Sequence, residues 1–230
     1  MKYNPYSFSK LSTYEKCPKH FKFRYIDNLE EDEKECLKKG SEIHSILENF
    51  TDYEHNNRIV EKFISSNLGK KYLEFINNSK PNRKEFAFGL TKRLEPCSFE
   101  DETCLFRGKV DLMFVKDKML NLIDYKTGKY KDERYQNYEQ LIFYAIYFFY
   151  TYKYIKWIRI SFVYVEHCLE NHLILSRNSL PIYIKKMISL ISKIEHEEQF
   201  NRNGSRLCDY CSFKDLCNAQ EVKKWLNKIL

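Results

Sequence analysis

The spacing of apolar residues changes along the chain, and this change predicts the order of its elements. Apolar residues recur three and four apart over about 38–49, which predicts an amphipathic helix, and a second helix is predicted over 57–76. After Pro81 the period becomes two, so "EFAFGL", "CLFRGKVDLMFV" and "MLNLIDYKT" are predicted strands, the last two joined by a turn at 116–118. The middle of the chain is therefore expected to form a sheet.

The flanking segments complete the pattern. A short helix capped by Ser9 or Ser12 is predicted to end at Pro18, and a further turn or helix covers 20–25. Helical spacing returns over 133–152, "KWIRISFVYVE" and "HLILS" are predicted strands, and Ser179 is predicted to cap a helix that continues to about 200. This order predicts an α/β fold with a mixed central β-sheet flanked by helices.

Length and composition favour one folded domain over 1–230. With 230 residues, 43% of them hydrophobic, and only 6 glycines and 5 prolines, the chain can bury one sizeable core and has few candidate linkers. The longest apolar run, 141–150, is half of what a bilayer span needs, and the first ten residues lack the apolar core of a secretory signal. We expect a cytoplasmic protein without a membrane partner.

Charge permits a nucleic-acid partner without requiring one. The formal net charge is +7, and the segment "KCPKHFKFRY" places Lys19, Lys22 and Arg24 among aromatic residues. Such interleaving suits phosphate contacts combined with base stacking, so these three residues are candidate DNA contacts. An amphipathic helix with a solvated basic face explains the segment equally well.

The stretch "DYKTG" contains the first candidate for chemistry. Alternation along a strand places Asp124 and Lys126 on one face, where they form either a salt bridge at a sheet edge or part of a metal site. Asp111 lies on the preceding predicted strand, so two carboxylates are expected side by side and need a cation. His44, although a lone histidine is more often a core residue, can complete a site for Mg²⁺ or Mn²⁺.

The cysteines point to a second metal site. Eight cysteines in a cytoplasmic protein are more often thiols or metal ligands than disulfides. Cys208, Cys211 and Cys217 have the spacing C-x2-C-x5-C, which is hard to explain by packing and suits zinc or an iron–sulphur cluster. The other cysteines are isolated in the sequence and are expected to be ordinary thiols: Cys36, Cys97, Cys104 and Cys168.

Five motifs in order resemble a known family. They are "YSFSKLSTYEKCPKHFKFRY", "GSEIHSILE", "RGKVD", "IDYKTG" and "QLIFY". The set is similar to the PD-(D/E)XK nucleases of the RecB type, and within them to the iron–sulphur branch with AddB-type subunits and the exonucleases that accompany CRISPR adaptation modules. The literal "PD" is absent, because Val110 precedes Asp111. The resemblance implies a restriction-endonuclease-like core.

The resemblance also implies roles for individual residues. It implies that Lys126 is catalytic and that the metal is held by His44, Asp111, Asp124 and the carbonyl of Tyr125. Gln140 and Tyr144 match a motif that lies near the site and the DNA, and Glu85 matches an acidic position only loosely. Cys17 becomes the fourth ligand of a [4Fe–4S] cluster, in a small unit that joins the two termini, about 1–30 and 201–230.

These inferences predict a metal-dependent DNA nuclease. The expected enzyme is an exonuclease acting on DNA ends or single strands, in DNA repair, recombination, or mobile-element or CRISPR-linked processing, with a helicase or CRISPR adaptation partner. One alternative is a catalytically weak DNA-binding or helicase-partner module with the same fold. A phosphatase-like metalloenzyme is disfavoured, because no glycine-rich phosphate cradle is visible.

Overall fold

The chain divides into two compact units. The structure is a computed structural model that describes residues 3, 5–31, 35–48, 57–78 and 82–218, and for 35–37 and 82 only the backbone. The sheet unit comprises Asn4–Phe8 and Lys34–Ser189, and the terminal unit comprises Met1–Tyr3, Ser9–Glu33 and Leu190–Leu230. The candidate metal residues of the strands belong to the first, and the candidate cluster cysteines to the second.

The sheet unit contains a six-stranded mixed sheet. Its strands are β1 Asn82–Thr91, β2 Pro96–Cys97, β3 Cys104–Lys116, β4 Met119–Lys126, β5 Trp157–Tyr164 and β6 Leu169–Ser176. Their order in the sheet is β2-β1-β3-β4-β5-β6, and every neighbouring pair is antiparallel except β4 and β5, which are parallel. The predicted mixed sheet is confirmed.

The helices lie before, within and after the strand region. They are α1 Phe8–Lys16, α2 Pro18–Tyr25, α3 Glu35–Glu48, α4 Arg58–Ser65, α5 Asn67–Asn78, α6 Glu139–Thr151 and α7 Leu180–Glu195. None of the described helices is long and apolar enough to cross a membrane.

Helices cover both faces of the sheet. On one face α3, α4 and α5 bury Ile43, Phe63 and Tyr72 in a cluster with Leu112 and Ile123 of the strands. On the other face α6 packs against the sheet, and the ring of its Tyr144 lies 5.3 Å from that of Phe88 in β1. The central strands β3, β4 and β5 are therefore largely buried between helical layers.

Several predicted boundaries are wrong for local reasons. α1 begins at Phe8, so Ser9 and Ser12 lie inside it and do not cap it. The region predicted as one helix over 57–76 is two helices, because Ser66 is extended and its hydroxyl donates to the Phe63 carbonyl at 2.5 Å and accepts from the Gly69 amide at 3.0 Å. α6 begins six residues later than predicted, after a 3-10 turn at Glu133–Tyr135, and the two-residue β2 was not predicted.

Candidate active site

Two adjacent strands bring the candidate acids together. β3 carries Asp111, and β4 carries Asp124 and Lys126, with Leu112 opposite Ile123 in the antiparallel pair. The backbone amide of Tyr125 donates a hydrogen bond to Asp111 Oδ2 at 2.6 Å. Asp111 is thereby fixed against the strand that carries the other candidates, as the period-two pattern predicted.

His44 reaches this carboxylate from α3. Its Nδ1 lies 3.4 Å from Asp111 Oδ2, and the hydrogen bond that the imidazole donates to this carboxylate, opposed by burial, raises the pKa of His44. One helical turn earlier, a side chain at Gly40 would place its Cβ 3.1 Å from Thr127 Oγ1. The absence of a side chain there lets α3 approach the end of β4, which positions His44.

Gln140 of α6 connects Asp124 to Lys126. It donates to Asp124 Oδ1 at 2.7 Å and accepts from Lys126 Nζ at 3.2 Å, while Nζ lies 2.6 Å from Asp124 Oδ2. The salt bridge expected in the simpler interpretation of "DYK" is therefore present. Burial raises the pKa of Asp124 to about 6, the Lys126 ammonium opposes this, and the nearby Asp111 adds to it.

The rest of the "QLIFY" motif packs beneath these groups. Gln140 Nε2 donates to the hydroxyl of Tyr144 at 3.4 Å, and the Tyr144 ring is buried. A Cβ at Gly108 would lie 2.6 Å from ring atoms of both Tyr144 and Phe88. The glycine of "RGKVD" thus leaves room for the tyrosine that supports Gln140.

Glu85 is a member of the site that the sequence identified only loosely. It lies in β1 opposite Asp111, since the flanking residues Lys84 and Phe86 pair with Leu112 and Val110. Its backbone has a φ of 50°, a strained value for a non-glycine residue that is often associated with functional sites. Its carboxylate forms an ion pair with Lys109. The sequence signal for Glu85 was an acidic residue in a predicted strand. Its position opposite Asp111 could not be predicted, because it depends on the register between β1 and β3.

The donor atoms form a plausible cation site by their chemistry. Ligand atoms of His44, Glu85 and Asp111 lie within 4.8 Å of one another. Asp124 Oδ2 is buried, has the Lys126 ammonium 2.6 Å away, and is a further candidate oxygen ligand. Oxygen donors with one imidazole suit Mg²⁺ or Mn²⁺. The Tyr125 side chain packs in the core, so only its carbonyl is a candidate ligand.

A single cavity gives access to these groups. Its volume is about 480 Å³, and its lining includes the candidate ligands, Lys126 and Gln140. Together the residues offer carboxylates, an imidazole and an ammonium group to a molecule in the cavity. This combination can bind a cation and stabilise negative charge on a phosphoryl group.

The terminal unit brings four cysteines to a second, small cavity. Cys17, Cys208, Cys211 and Cys217 line a space of about 30 Å³. A hydrogen bond from the Ser205 amide and one from Arg202 lower the pKa of the half-buried Cys208 thiol. Among the described residues, only His44, Glu85 and Asp111 bring three ligand atoms within 4.8 Å.

The candidate DNA contacts on α2 are partly neutralised. Lys22 Nζ lies 2.7 Å from both oxygens of Asp27, and Arg24 lies 2.9 Å from Glu31. Lys19 Nζ lies 5.9 Å from the centre of the Phe23 ring. DNA binding by this segment stays a prediction, and its ion pairs resemble the solvated helix face that was the alternative.

Two cysteines that are isolated in the sequence meet in space. A Cβ at Gly89 would lie 2.8 Å from Cys97 Sγ and 3.0 Å from Cys104 Sγ, so both sulphurs occupy the room left by the glycine. Burial and the neighbouring thiol raise the pKa of Cys97 to about 12. The sequence could not reveal this contact, because it depends on how β2 pairs with β1. The side chain of Cys36, another cysteine expected to be an ordinary thiol, lies outside the described residues.

Comparisons with known proteins agree with this geometry. A family model described as the PD-(D/E)XK nuclease superfamily matches residues 5–218. The crystal structure of a proposed exonuclease from Eubacterium rectale superposes with a TM-score of 0.54 and 16% sequence identity, over 89% of this chain and 86% of that one, which supports the fold alone. The structure of SSO0001 gives a TM-score of 0.43 with 13% identity, over 92% and 85%, too low to support a conclusion. No curated protein matches the sequence.

Proposed function

The chain belongs to the PD-(D/E)XK nuclease superfamily, and on this basis we propose that it hydrolyses DNA phosphodiester bonds with Mg²⁺ or Mn²⁺. The observation that carries the proposal is the convergence of His44, Asp111, Asp124 and Lys126 on one cavity. A structural salt bridge would explain Asp124 and Lys126 alone. It does not explain why a histidine and further carboxylates face the same space.

The proposed cation ligands are His44, Asp111, Asp124 and the Tyr125 carbonyl, with Glu85 available as a further carboxylate. When bound, such a cation lowers the pKa of a water molecule and polarises the phosphoryl oxygen. The mutual repulsion of the carboxylates, which contributes to the raised pKa of Asp124, is relieved by a positive charge at this place.

Lys126 and Gln140 are proposed to handle the substrate. Gln140 accepts a hydrogen bond from Lys126 Nζ and so holds the ammonium at the cavity wall. From there Nζ can donate to the attacking water or to a phosphate oxygen, and offset the charge that develops on the phosphoryl group. Tyr144 is proposed to position Gln140 through their hydrogen bond, and it is not among the residues that line the cavity.

We propose DNA ends or single strands as the substrate. The solved structure from Eubacterium rectale is described as that of a proposed exonuclease, and an excess of basic residues suits a phosphate backbone. Lys19, Lys22 and Arg24 stay candidate contacts. DNA repair, recombination, or mobile-element or CRISPR-linked processing, with a helicase or CRISPR adaptation partner, is the proposed setting.

We also propose that Cys17, Cys208, Cys211 and Cys217 hold a [4Fe–4S] cluster. The support is their common cavity and the lowered pKa of the Cys208 thiol. Lys19 and Lys214 also line this cavity, and their charges complement the negative charge of a thiolate-ligated cluster. A structural zinc ion is the alternative.

The proposed function is tested by digesting four labelled DNA substrates: linear and closed circular, each single- and double-stranded. An exonuclease degrades both linear forms or the single-stranded one, and leaves closed circles intact. Each reaction is run with Mg²⁺, with Mn²⁺ and with a chelator. Tight DNA binding without cleavage under any condition would contradict the proposal and favour the binding module.

A further inference from the structure

The 127–138 loop starts and ends at the candidate active site. β4 ends at Lys126, α6 begins at Glu139, and Lys126 Nζ is hydrogen-bonded to Gln140 across the base of the loop. Thr127 and Gly128 line the same cavity as the candidate ligands. Whatever occupies that cavity therefore lies next to this loop.

Three side-chain hydrogen bonds fix the shape of the loop. The Tyr130 hydroxyl donates to Asn171 Oδ1 at 3.0 Å, and Asn171 Nδ2 donates to the Lys131 carbonyl at 2.7 Å. The Tyr164 hydroxyl donates to Gln136 Oε1 at 2.5 Å. Tyr164 is the β5 partner of Lys126, and its ring lies 5.1 Å from that of Tyr130. The loop is therefore anchored one strand away from the proposed catalytic lysine.

The exposed side chains of the anchored loop include two lysines and a tyrosine ring, beside Glu133 and an ion pair between Arg134 and Asp132. Lys129 and Lys131 are exposed, and no carboxylate of the described residues lies within ion-pair distance of either. Tyr135 is 74% exposed, far more than a structural tyrosine requires. The situation differs from that of Lys22 and Arg24, which carboxylates already engage.

We propose that this loop binds a single strand of DNA beside the scissile bond, an inference that rests on the proposed nuclease function. Lys129 and Lys131 contact backbone phosphates, and Tyr135 stacks on an unpaired base. A duplex buries the faces of its bases, whereas a single strand or a frayed end exposes them. An exposed ring and two unpaired lysines on a loop that begins at the cavity thus favour a single strand over an intact duplex.

The test is binding in the presence of a chelator, measured by fluorescence anisotropy with a labelled single strand and a blunt hairpin duplex. Tyr135→Ala is expected to weaken single-strand binding by at least about fivefold and to leave hairpin binding unchanged. Tyr135→Phe, which keeps the ring, is expected to bind like the wild type. The double variant Lys129→Ala/Lys131→Ala is expected to reduce the salt slope on the single strand by about 1.4, for two lost phosphate contacts.

Matched controls lie at the opposite end of the sheet. Tyr154 is 79% exposed, and Lys153 and Lys156 flank it in the turn before β5. Tyr154→Ala and Lys153→Ala/Lys156→Ala are expected to change neither affinity nor salt slope. The proposal would be overturned if the loop and control variants lost affinity equally, or if the loop variants lost affinity equally for the single strand and the hairpin. It would also be overturned if Tyr135→Ala bound the single strand as tightly as the wild type.

Failure of the nuclease function is distinguishable from failure of the loop proposal. If the wild-type protein binds single strands but cleaves no DNA with any metal, the proposed function is contradicted. In that case a loss of binding in Tyr135→Ala, with rescue in Tyr135→Phe, still supports the loop as the single-strand contact.

Discussion

At the scale of single residues, Glu85 differs most from what the sequence suggested. Its carboxylate joins His44 and Asp111, and its backbone adopts a φ of 50° inside a strand. A left-handed residue in mid-strand costs of order 1–3 kcal/mol, and such strain concentrates at functional sites. The same carboxylate forms an ion pair with Lys109.

Replacing Glu85 by Gln is expected to raise the Mn²⁺ concentration needed for half-maximal binding by at least about tenfold, because a charged ligand is lost. Isothermal titration of Mn²⁺ into the protein without DNA measures this directly. Glu100→Gln is the control, since Glu100 is exposed and pairs with Arg107 outside the cavity. Unchanged Mn²⁺ affinity in Glu85→Gln would remove Glu85 from the site.

At the scale of elements, the break between α4 and α5 depends on one glycine. A Cβ at Gly69 would overlap the Phe63 carbonyl and lie 2.9 Å from the Cα of Ile64, so the two helices touch backbone to backbone. Gly69→Ala is expected to destabilise the protein by about 1–3 kcal/mol, although alanine normally favours a helix. Chemical denaturation measures the change. A Cβ at Gly204 would meet no atom within 4 Å, so the free energy of unfolding of Gly204→Ala should stay within about 0.5 kcal/mol of the wild-type value.

The β5–β6 pair contains a largely buried acidic side chain, Glu170, whose contribution to the stability of the fold depends on pH. Burial alone would raise the pKa of Glu170, but a hydrogen bond from Ser161 and the charge of Arg159, 2.8 Å away, outweigh it and lower the pKa below 4.5. A lowered carboxyl pKa stabilises the folded state above the ordinary value, and this stabilisation is lost as pH falls through the folded value.

Glu170→Gln is therefore expected to lower the melting temperature by a few degrees at pH 7, and by less at pH 3, because the stabilisation by the carboxylate is progressively lost as pH falls below 4.5. Thermal unfolding followed by circular dichroism at both pH values measures the difference. Glu166, in the turn before β6, is a suitable control position for the same substitution. If the difference in melting temperature between the wild type and Glu170→Gln stayed constant from pH 7 to pH 3, the stabilising role of the charged Glu170 carboxylate would be contradicted.

The elements show what a sequence can and cannot predict. The strands carrying Asp111 and Asp124 were predictable, because alternation and an acid in an apolar run are local signals. The break at Ser66, the contact of Cys97 with Cys104 and the position of Glu85 depend on packing and strand register, which one sequence does not specify. Gln140 was predictable from its motif, whereas its double hydrogen bond to Asp124 and Lys126 required α6 to be placed.

At the scale of the whole molecule, the terminal unit takes residues from both ends of the chain. Its cysteines are Cys17 from the N-terminal part and Cys208, Cys211 and Cys217 from the C-terminal part. A metal bound by all four closes a very long loop and couples its binding energy to folding. The stability of this unit is therefore expected to depend on the metal.

Protein purified without oxygen is expected to be brown, with about four irons and four sulphides per chain, as a [4Fe–4S] core requires. Alanine at any of the four cysteines should bleach the colour and lower the melting temperature, and Cys168→Ala should do neither. Iron and sulphide analysis with absorbance spectra measures this. A colourless protein with one zinc ion would contradict the iron assignment, and unchanged metal content in all four variants would contradict any metal there.

The central claim is that the cavity around Asp124 and Lys126 cleaves DNA with a divalent cation. The most direct measurement is single-turnover cleavage of end-labelled linear DNA over a range of Mn²⁺ concentrations, with a chelator arm. The wild type and the control Asp101→Ala, which removes a carboxylate outside the cavity, should cleave only with metal. Asp124→Ala and Lys126→Ala should lose at least about a hundredfold in rate and bind DNA within a few-fold of the wild type. Cleavage in the chelator, or wild-type rates in both variants, would contradict the account.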